Sequence, residues 1–248
     1  MTGLLGFALL LEAVPRIGPV SATYLPPTSE ILAALVGQLS RPAFWGALGD
    51  TVVTWLLGLA IAMAAAIVTG VVIGSVPVLR AATASTVEFL RPIPSVALIP
   101  LAVLLYGTGR SSTLLLVVYA SFWQAFVQVM QGVADVDPVA WDTARSYRFG
   151  RWARIRSVLW PTALPYVVTG FRLAASVALV LTITGELVIG TPGLGKEIAL
   201  AQSGNAVTDM YALVVVTGVV GVAANLLTRT AERRVLSWHP SVRGEVAA

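Results

Sequence analysis

Long uncharged apolar runs organise this chain. Thr51 to Leu79 contains no charged residue, and neither do Pro92 to Gly109, Ser111 to Ala134 or Met210 to Thr228. Between Ser157 and Gly185 only Arg172 interrupts the apolarity, and between Leu4 and Val14 only Glu12 does. A helix crosses the hydrocarbon layer with about 20 apolar residues. The pattern therefore predicts an all-α, polytopic membrane protein with six spans, near 2–17, 50–76, 84–106, 111–133, 161–184 and 208–229. The third is the least regular, because Glu88, Arg91, Pro92, Pro94 and Pro100 fall in it. Proline breaks the helical hydrogen-bond ladder, so such a span is expected inside a bundle rather than against lipid. The first span is short, and a signal peptide competes with it. No positive residue precedes the apolar stretch and no small-x-small cleavage site stands out, so an uncleaved anchor is expected.

Composition agrees with this pattern. Of 248 residues, 57% are hydrophobic and 11% charged, against roughly 25% charged in soluble domains. That excludes an ordinary soluble enzyme and a disordered chain. There is no cysteine, so thiol catalysis, disulfides and Cys-ligated zinc are excluded. The single histidine, His239, leaves no His-based metal cluster or triad. No catalytic, metal or cofactor-binding residue is expected.

Orientation follows from the basic residues. With a cytoplasmic amino terminus and alternating spans, the inside holds Arg80, Arg145, Arg148, Arg151, Arg154, Arg156, Arg229, Arg233, Arg234 and Arg243. The outside holds only Arg16, Arg41, Arg110 and Lys196. Both termini are therefore expected in the cytoplasm. The chain divides into an N-terminal helix and external segment (1–45), a membrane domain (46–230) with a cytoplasmic loop at 135–160, and a basic tail (231–248) containing Trp238 and His239.

That loop carries most of the functional argument. Asp137-Pro138 reads as a helix start, an N-cap acid followed by proline at the first helical position. Phe149-Gly150 reads as a turn. A second helix is expected from about Arg151 to Trp160, with Trp152, Ile155 and Leu159 on one face, closed by Pro161 and Pro165. Positive-inside topology would account for the arginines alone, but not for two capped helices. A structured cationic knob suits a partner's groove.

Asp142-Thr143-Ala144, Arg148-Phe149-Gly150, Val158 and Pro161 resemble the EAA loop of ABC importer permeases. Aligning Pro161 on the family's proline places Asp142 on its glutamate, Ala144 on its second alanine and Arg148 on its glycine; Gly150 is the candidate to supply the turn instead. Leu25-Pro26-Pro27-Thr28-Ser29-Glu30, Arg91-Pro92-Ile93-Pro94-Ser95 and Gly193-Leu194-Gly195 after Glu186 are similar to segments of the sulfonate/taurine/nitrate-type permeases. The resemblance implies the type I ABC importer permease fold in a bacterial inner membrane. It also implies a permease homodimer in membrane lipid, a pair of separate ATPase subunits that bind ATP and Mg, and an extracytoplasmic solute-binding protein. No nucleic acid is involved. The implied coupling residues are Asp142, Thr143, Ala144, Arg145, Arg148, Phe149, Gly150 and Pro161. Ala144→Asp is the substitution expected to weaken ATPase association.

The remaining signals keep two readings each. Gly190 to Lys196 satisfies G-x-x-x-x-G-K, but Glu197 stands where a phosphate loop needs Ser or Thr, so a glycine-rich external turn is expected. Glu186 could face the pathway, pair across the dimer or reach interfacial water. Ser95, Thr182 and Thr184 could line the pathway or make packing hydrogen bonds. Arg172 could be a pathway cation or snorkel to the inner surface. Glu88 and Arg91 have i, i+3 spacing for an ion pair. Gly70-x-x-x-Gly74 permits close helix contact, which this glycine content could also supply by chance. A coupled secondary transporter working alone is the competing function, with Glu186 and Glu88 as candidate relays; an integral-membrane enzyme is a third.

Overall fold

The computed structural model describes residues 2–18, 21 and 23–238. His239 and Arg243, and most of the predicted tail, lie outside the described residues. The described chain is helical throughout: α1 (Thr2–Ile17), α2 (Thr28–Leu39), α3 (Pro42–Ser75), α4 (Pro77–Leu90), a 3₁₀ turn (Ser95–Leu98), α5 (Ile99–Tyr106), α6 (Arg110–Ala134), α7 (Pro138–Ser146), α8 (Arg151–Arg154), a π turn (Ile155–Leu159), α9 (Trp160–Ile189), α10 (Leu194–Ser203) and α11 (Val207–Val235).

Among the described residues, four helical rods are long and apolar enough to cross a membrane. They are α3, α6, the continuous Arg151–Ile189 rod and α11. A fifth crossing is the bent pair α4 plus Ser95–Tyr106, which turns by 82°. The expected third span is thus a broken one, and the break falls at Arg91–Pro94, where the prolines remove backbone donors. The helix expected as the first span is present at its expected bounds, Thr2–Ile17, with 16 residues, about 24 Å at the helical rise. That is short of the hydrocarbon thickness. The Glu12 carboxylate of α1 accepts from the Ser29 N–H at 2.9 Å and the Ser29 hydroxyl at 3.0 Å. It thereby satisfies an orphan donor at the start of α2 and pairs with Arg16 at 2.7 Å.

Helix α6 is the spine. A Cβ on Gly58, Gly70 or Gly74 of α3 would strike Val117, Val129 or Val133 of α6 within 3.0 Å. The offset between partners is constant, so α3 and α6 run parallel in register. On the other side, Gly132 meets Ala163 and Tyr166, Gly170 meets Ala125 and Gln128, and Gly185 meets Thr113. Here the numbers run oppositely, so α9 is antiparallel to α6. Gly70 and Gly74 are therefore packing residues: without a Cβ the helices approach closely, which supplies the dispersion and weak hydrogen bonding that hold helices together in lipid. The Trp55 indole N–H donates to the Ala175 carbonyl at 2.9 Å, tying α3 to α9. Gly70→Ala is expected to cost about 1–3 kcal/mol by overpacking, read as a lower melting midpoint in detergent. Gly37→Ala, with open space around it, is the matched control and should leave the midpoint unchanged or higher.

Arg172 donates to Glu232 of α11 at 3.1 Å. It is therefore a paired rather than a free cation, and it reaches toward the arginine-rich end of α11. Glu88 and Arg91 are both exposed and do not form one of the ion pairs found among the described residues. An exposed pair would gain little over hydration.

Candidate functional site

The loop at one end of the bundle is built as a helix, a reversal and a second helix. Asp137 caps α7 through its carboxylate, which accepts from the Val139 N–H at 2.8 Å, and Pro138 takes the first helical position. The far end closes as a Schellman motif. The Phe149 N–H donates to the Ala144 carbonyl at 3.0 Å and the Arg148 N–H to the Arg145 carbonyl at 2.9 Å. That closure requires a left-handed residue, and Arg148 supplies it with φ 59. Gly150, expected to take over the turn, is instead extended at φ −61, ψ 163. The left-handed conformation costs a non-glycine residue about 1 kcal/mol. Arg148→Gly is therefore expected to stabilise the loop by about that amount, measured as slower amide exchange across 138–149.

The second helix also departs from expectation. Pro161 and Pro165 do not close it, and α8 runs through the π turn into α9 as a single rod of 39 residues. A proline ring clashes with the carbonyl four residues earlier. For Pro161 that residue is Ser157, inside the π turn, where the wider winding makes room. The loop is thereby rigidly continuous with a membrane span.

Its surface divides sharply. Ala144 is buried, only 7% exposed, because α7 folds back on α8 and the π turn. Arg154 lies over the Trp141 ring at 5.1 Å and holds the two arms together. Ala144 is thus an internal packing residue, and Ala144→Asp would break the loop itself; this corrects the expectation that it faces a partner. Asp142, Thr143, Arg145, Arg148, Phe149 and Gly150 are all exposed. Of the three residues expected on one face, Trp152 is 74% exposed, Ile155 half-buried and Leu159 buried. Tyr147 (76% exposed), Val139, Phe149 and Trp152 are each exposed on the loop, as are Arg145, Arg148 and Arg151. Tyr147 was missed in the sequence because no periodicity spans the reversal. Pro161 is half-buried at the root of the loop.

The expected pathway residues separate. Glu186 is fully buried within the subunit. One carboxylate oxygen, Oε2, accepts from the Thr51 hydroxyl at 2.9 Å and the Gly195 N–H at 3.0 Å; the Leu194 N–H donates to Thr51 Oγ1 at 2.9 Å. Gly193 lies flat on the carboxyl group, where any Cβ would overlap it. Beside it the Thr113 and Thr191 hydroxyls share a hydrogen bond at 3.0 Å. Glu186 therefore fastens α10 and its glycine turn to α3 and α9, and does not line a pathway. In the G-x-x-x-x-G-K segment Gly195 is required by this close approach, whereas Gly190 ends α9 in the left-handed conformation, φ 81. Thr182 is buried and donates to the Ala178 carbonyl at 2.8 Å, so it is also internal. Thr184 is half-buried and donates to Val180, and Ser95 is half-buried in the 3₁₀ turn.

A helical bundle with one broken span and one span extended into a helical loop is a recognisable plan. The profile of the binding-protein-dependent transport system inner membrane component family matches residues 62–237. The chain belongs to that family. It is 26% identical over 247 residues to the putative aliphatic sulfonates transport permease protein SsuC of Bacillus subtilis, covering 98% of this chain and 90% of that one. It is 28% identical over 229 residues to the taurine transport system permease protein TauC of Escherichia coli, covering 90% and 83%. The bicarbonate transport system permease protein CmpB of Synechocystis is 26% identical over 229 residues, covering 88% and 81%. Among solved structures, a bacterial ABC transporter for import of the acidic polysaccharide alginate superposes with a TM-score of 0.70 at 14% identity, covering 94% of this chain and 89% of that one. The MetNI methionine ABC transporter gives 0.66 at 18% identity, covering 79% and 99%. The chain is an ABC transporter permease subunit of the type I importer fold, a multi-pass membrane protein and not an enzyme.

Proposed function

We propose that this permease forms the pathway of an ATP-driven importer for a small oxyanion of the sulfonate, taurine or bicarbonate kind. ATP and Mg bind to a pair of separate ATPase subunits, and a solute-binding protein delivers the cargo on the opposite face of a bacterial inner membrane. The observation that carries the reading is the continuity of Arg151–Ile189. A partner that pushes the exposed Trp152 moves a membrane span directly, because that residue lies on the continuous rod. The loop arginines favour the cytoplasmic side, and α9 followed by α11 then brings the carboxyl-terminal end back to that side. The curated relatives support the solute class, since they are named for sulfonates, taurine and bicarbonate.

The test is a mild-detergent pull-down of the tagged chain from its native membrane. A soluble protein with a complete P-loop, recovered two per two permeases, supports the reading. Recovery of the chain alone as a stable oligomer overturns it in favour of a transporter working without an ATPase.

A further inference from the structure

Three glutamines, Gln124, Gln128 and Gln131, recur at spacings of four and three on α6, a membrane span, and therefore share one face. Gln124 and Gln131 are exposed and Gln128 is half-buried against Gly170 of α9. None of their carboxamides makes a hydrogen bond to another described residue. The neighbouring face of α9 continues the polarity with Tyr166 and Thr169, and the Tyr166 hydroxyl donates to Asp135 at 3.0 Å. An open cavity of about 570 Å³ is bordered by Asp135, Tyr166 and Thr169, and Gln131 lines a second of about 310 Å³ between α6 and α4.

The other outward faces of the bundle are different. Val53, Leu56, Leu57, Ile61 and Val68 project from α3, and Val214, Val219, Val222 and Leu226 from α11. Those faces suit lipid. An unpartnered carboxamide in hydrocarbon is costly, so three on one face mark a surface that meets water or a polar solute.

We infer that Gln124, Gln128 and Gln131 form a wall of the translocation pathway and are the groups that touch the solute as it crosses. The chemistry offered by α6 itself is hydrogen bonding, with Arg80 and Glu88 of α4 bordering the cavity that Gln131 lines. The amide N–H groups donate to an oxyanion, while no Lys or Arg lies on α6 beyond its first residue, Arg110. The Thr169 hydroxyl is committed to the Pro165 carbonyl at 3.0 Å and offers only its oxygen outward. Such a wall holds an anion weakly, which suits passage rather than storage. The inference rests on the importer-permease reading for its solute, but the aqueous face is testable apart from it.

The chain has no cysteine, so any thiol introduced is unique within it. Single variants Gln124→Cys, Gln128→Cys and Thr169→Cys are compared with Leu57→Cys and Val222→Cys in membrane vesicles opened to both sides. The probe is 2-sulfonatoethyl methanethiosulfonate, a membrane-impermeant anion that reacts with thiolate in water. The pathway positions are expected to label at least about tenfold faster than the two lipid-facing ones, because hydrocarbon excludes both water and the charged probe. Equal rates would overturn the inference, as would cysteines at 124 and 128 that resist the probe and instead cross-link copies of the chain. Each variant is checked by size-exclusion profile, and Gln128→Asn with Thr169→Cys provides a second, milder probe of the same surface that should keep fast labelling. Labelling without an ATPase in the pull-down would retain the aqueous face and remove the importer; an ATPase without labelling would do the reverse.

Discussion

Gly195→Ala is expected to be among the most destabilising single-methyl additions in this protein. A Cβ there would lie 2.4 Å from the Ile183 carbonyl oxygen, 2.7 Å from Glu186 Cβ and 2.8 Å from the Leu187 nitrogen. Two of these are backbone atoms within α9, which cannot swing aside. Relief requires α10 to lift away, and that breaks the hydrogen bond from the Gly195 N–H to Glu186. The buried carboxylate then loses one of its two partners, and its other oxygen, Oε1, already has none among the protein atoms. Overpacking and a stranded buried acceptor together are expected to cost about 3–5 kcal/mol. The measurement is the detergent melting midpoint, with Gly218→Ala beside it. Gly218 has open space around it on α11, so that variant should match or slightly exceed the parent. Equal midpoints for the two would refute the fastening role of Glu186.

Trp152→Ala is expected to weaken ATPase association by about 2 kcal/mol, roughly thirtyfold, if its indole is the buried centre of that interface. The side chain is 74% exposed, so its removal leaves the permease's own packing intact. Titrating labelled ATPase against the permease in nanodiscs gives the affinity. The control is Ala144→Asp, which attacks the loop from inside and should lower both the melting midpoint and the affinity. An unchanged affinity for Trp152→Ala would move the interface to the arginines.

The separation of these two variants shows where the sequence was legible. The span cores and the Asp137-Pro138 helix start follow from local patterns that tertiary packing did not override. The prolines misled, because the rule that proline ends a helix assumes regular winding, and the π turn at Ile155–Leu159 evades the clash. Ala144 misled for another reason: nothing local says that α7 folds back on the rod that follows. Glu186 drew attention as a charge near a span end, yet its partners come from Thr51 and Gly195, and the first of these is far away in the chain. The glutamines of α6 went unread because an uncharged residue does not interrupt a hydropathy run. Only the exposure of their common face sets them apart from the apolar residues around them.

The most direct test of the account is transport itself. The permease is reconstituted into liposomes with any ATPase and solute-binding protein recovered in the pull-down, and uptake of radiolabelled taurine, an alkanesulfonate and bicarbonate is followed. The account predicts uptake of at least one of these that requires ATP, the ATPase and the binding protein together, and that Trp152→Ala abolishes or sharply reduces. Uptake driven by an ion gradient with the ATPase omitted would contradict it.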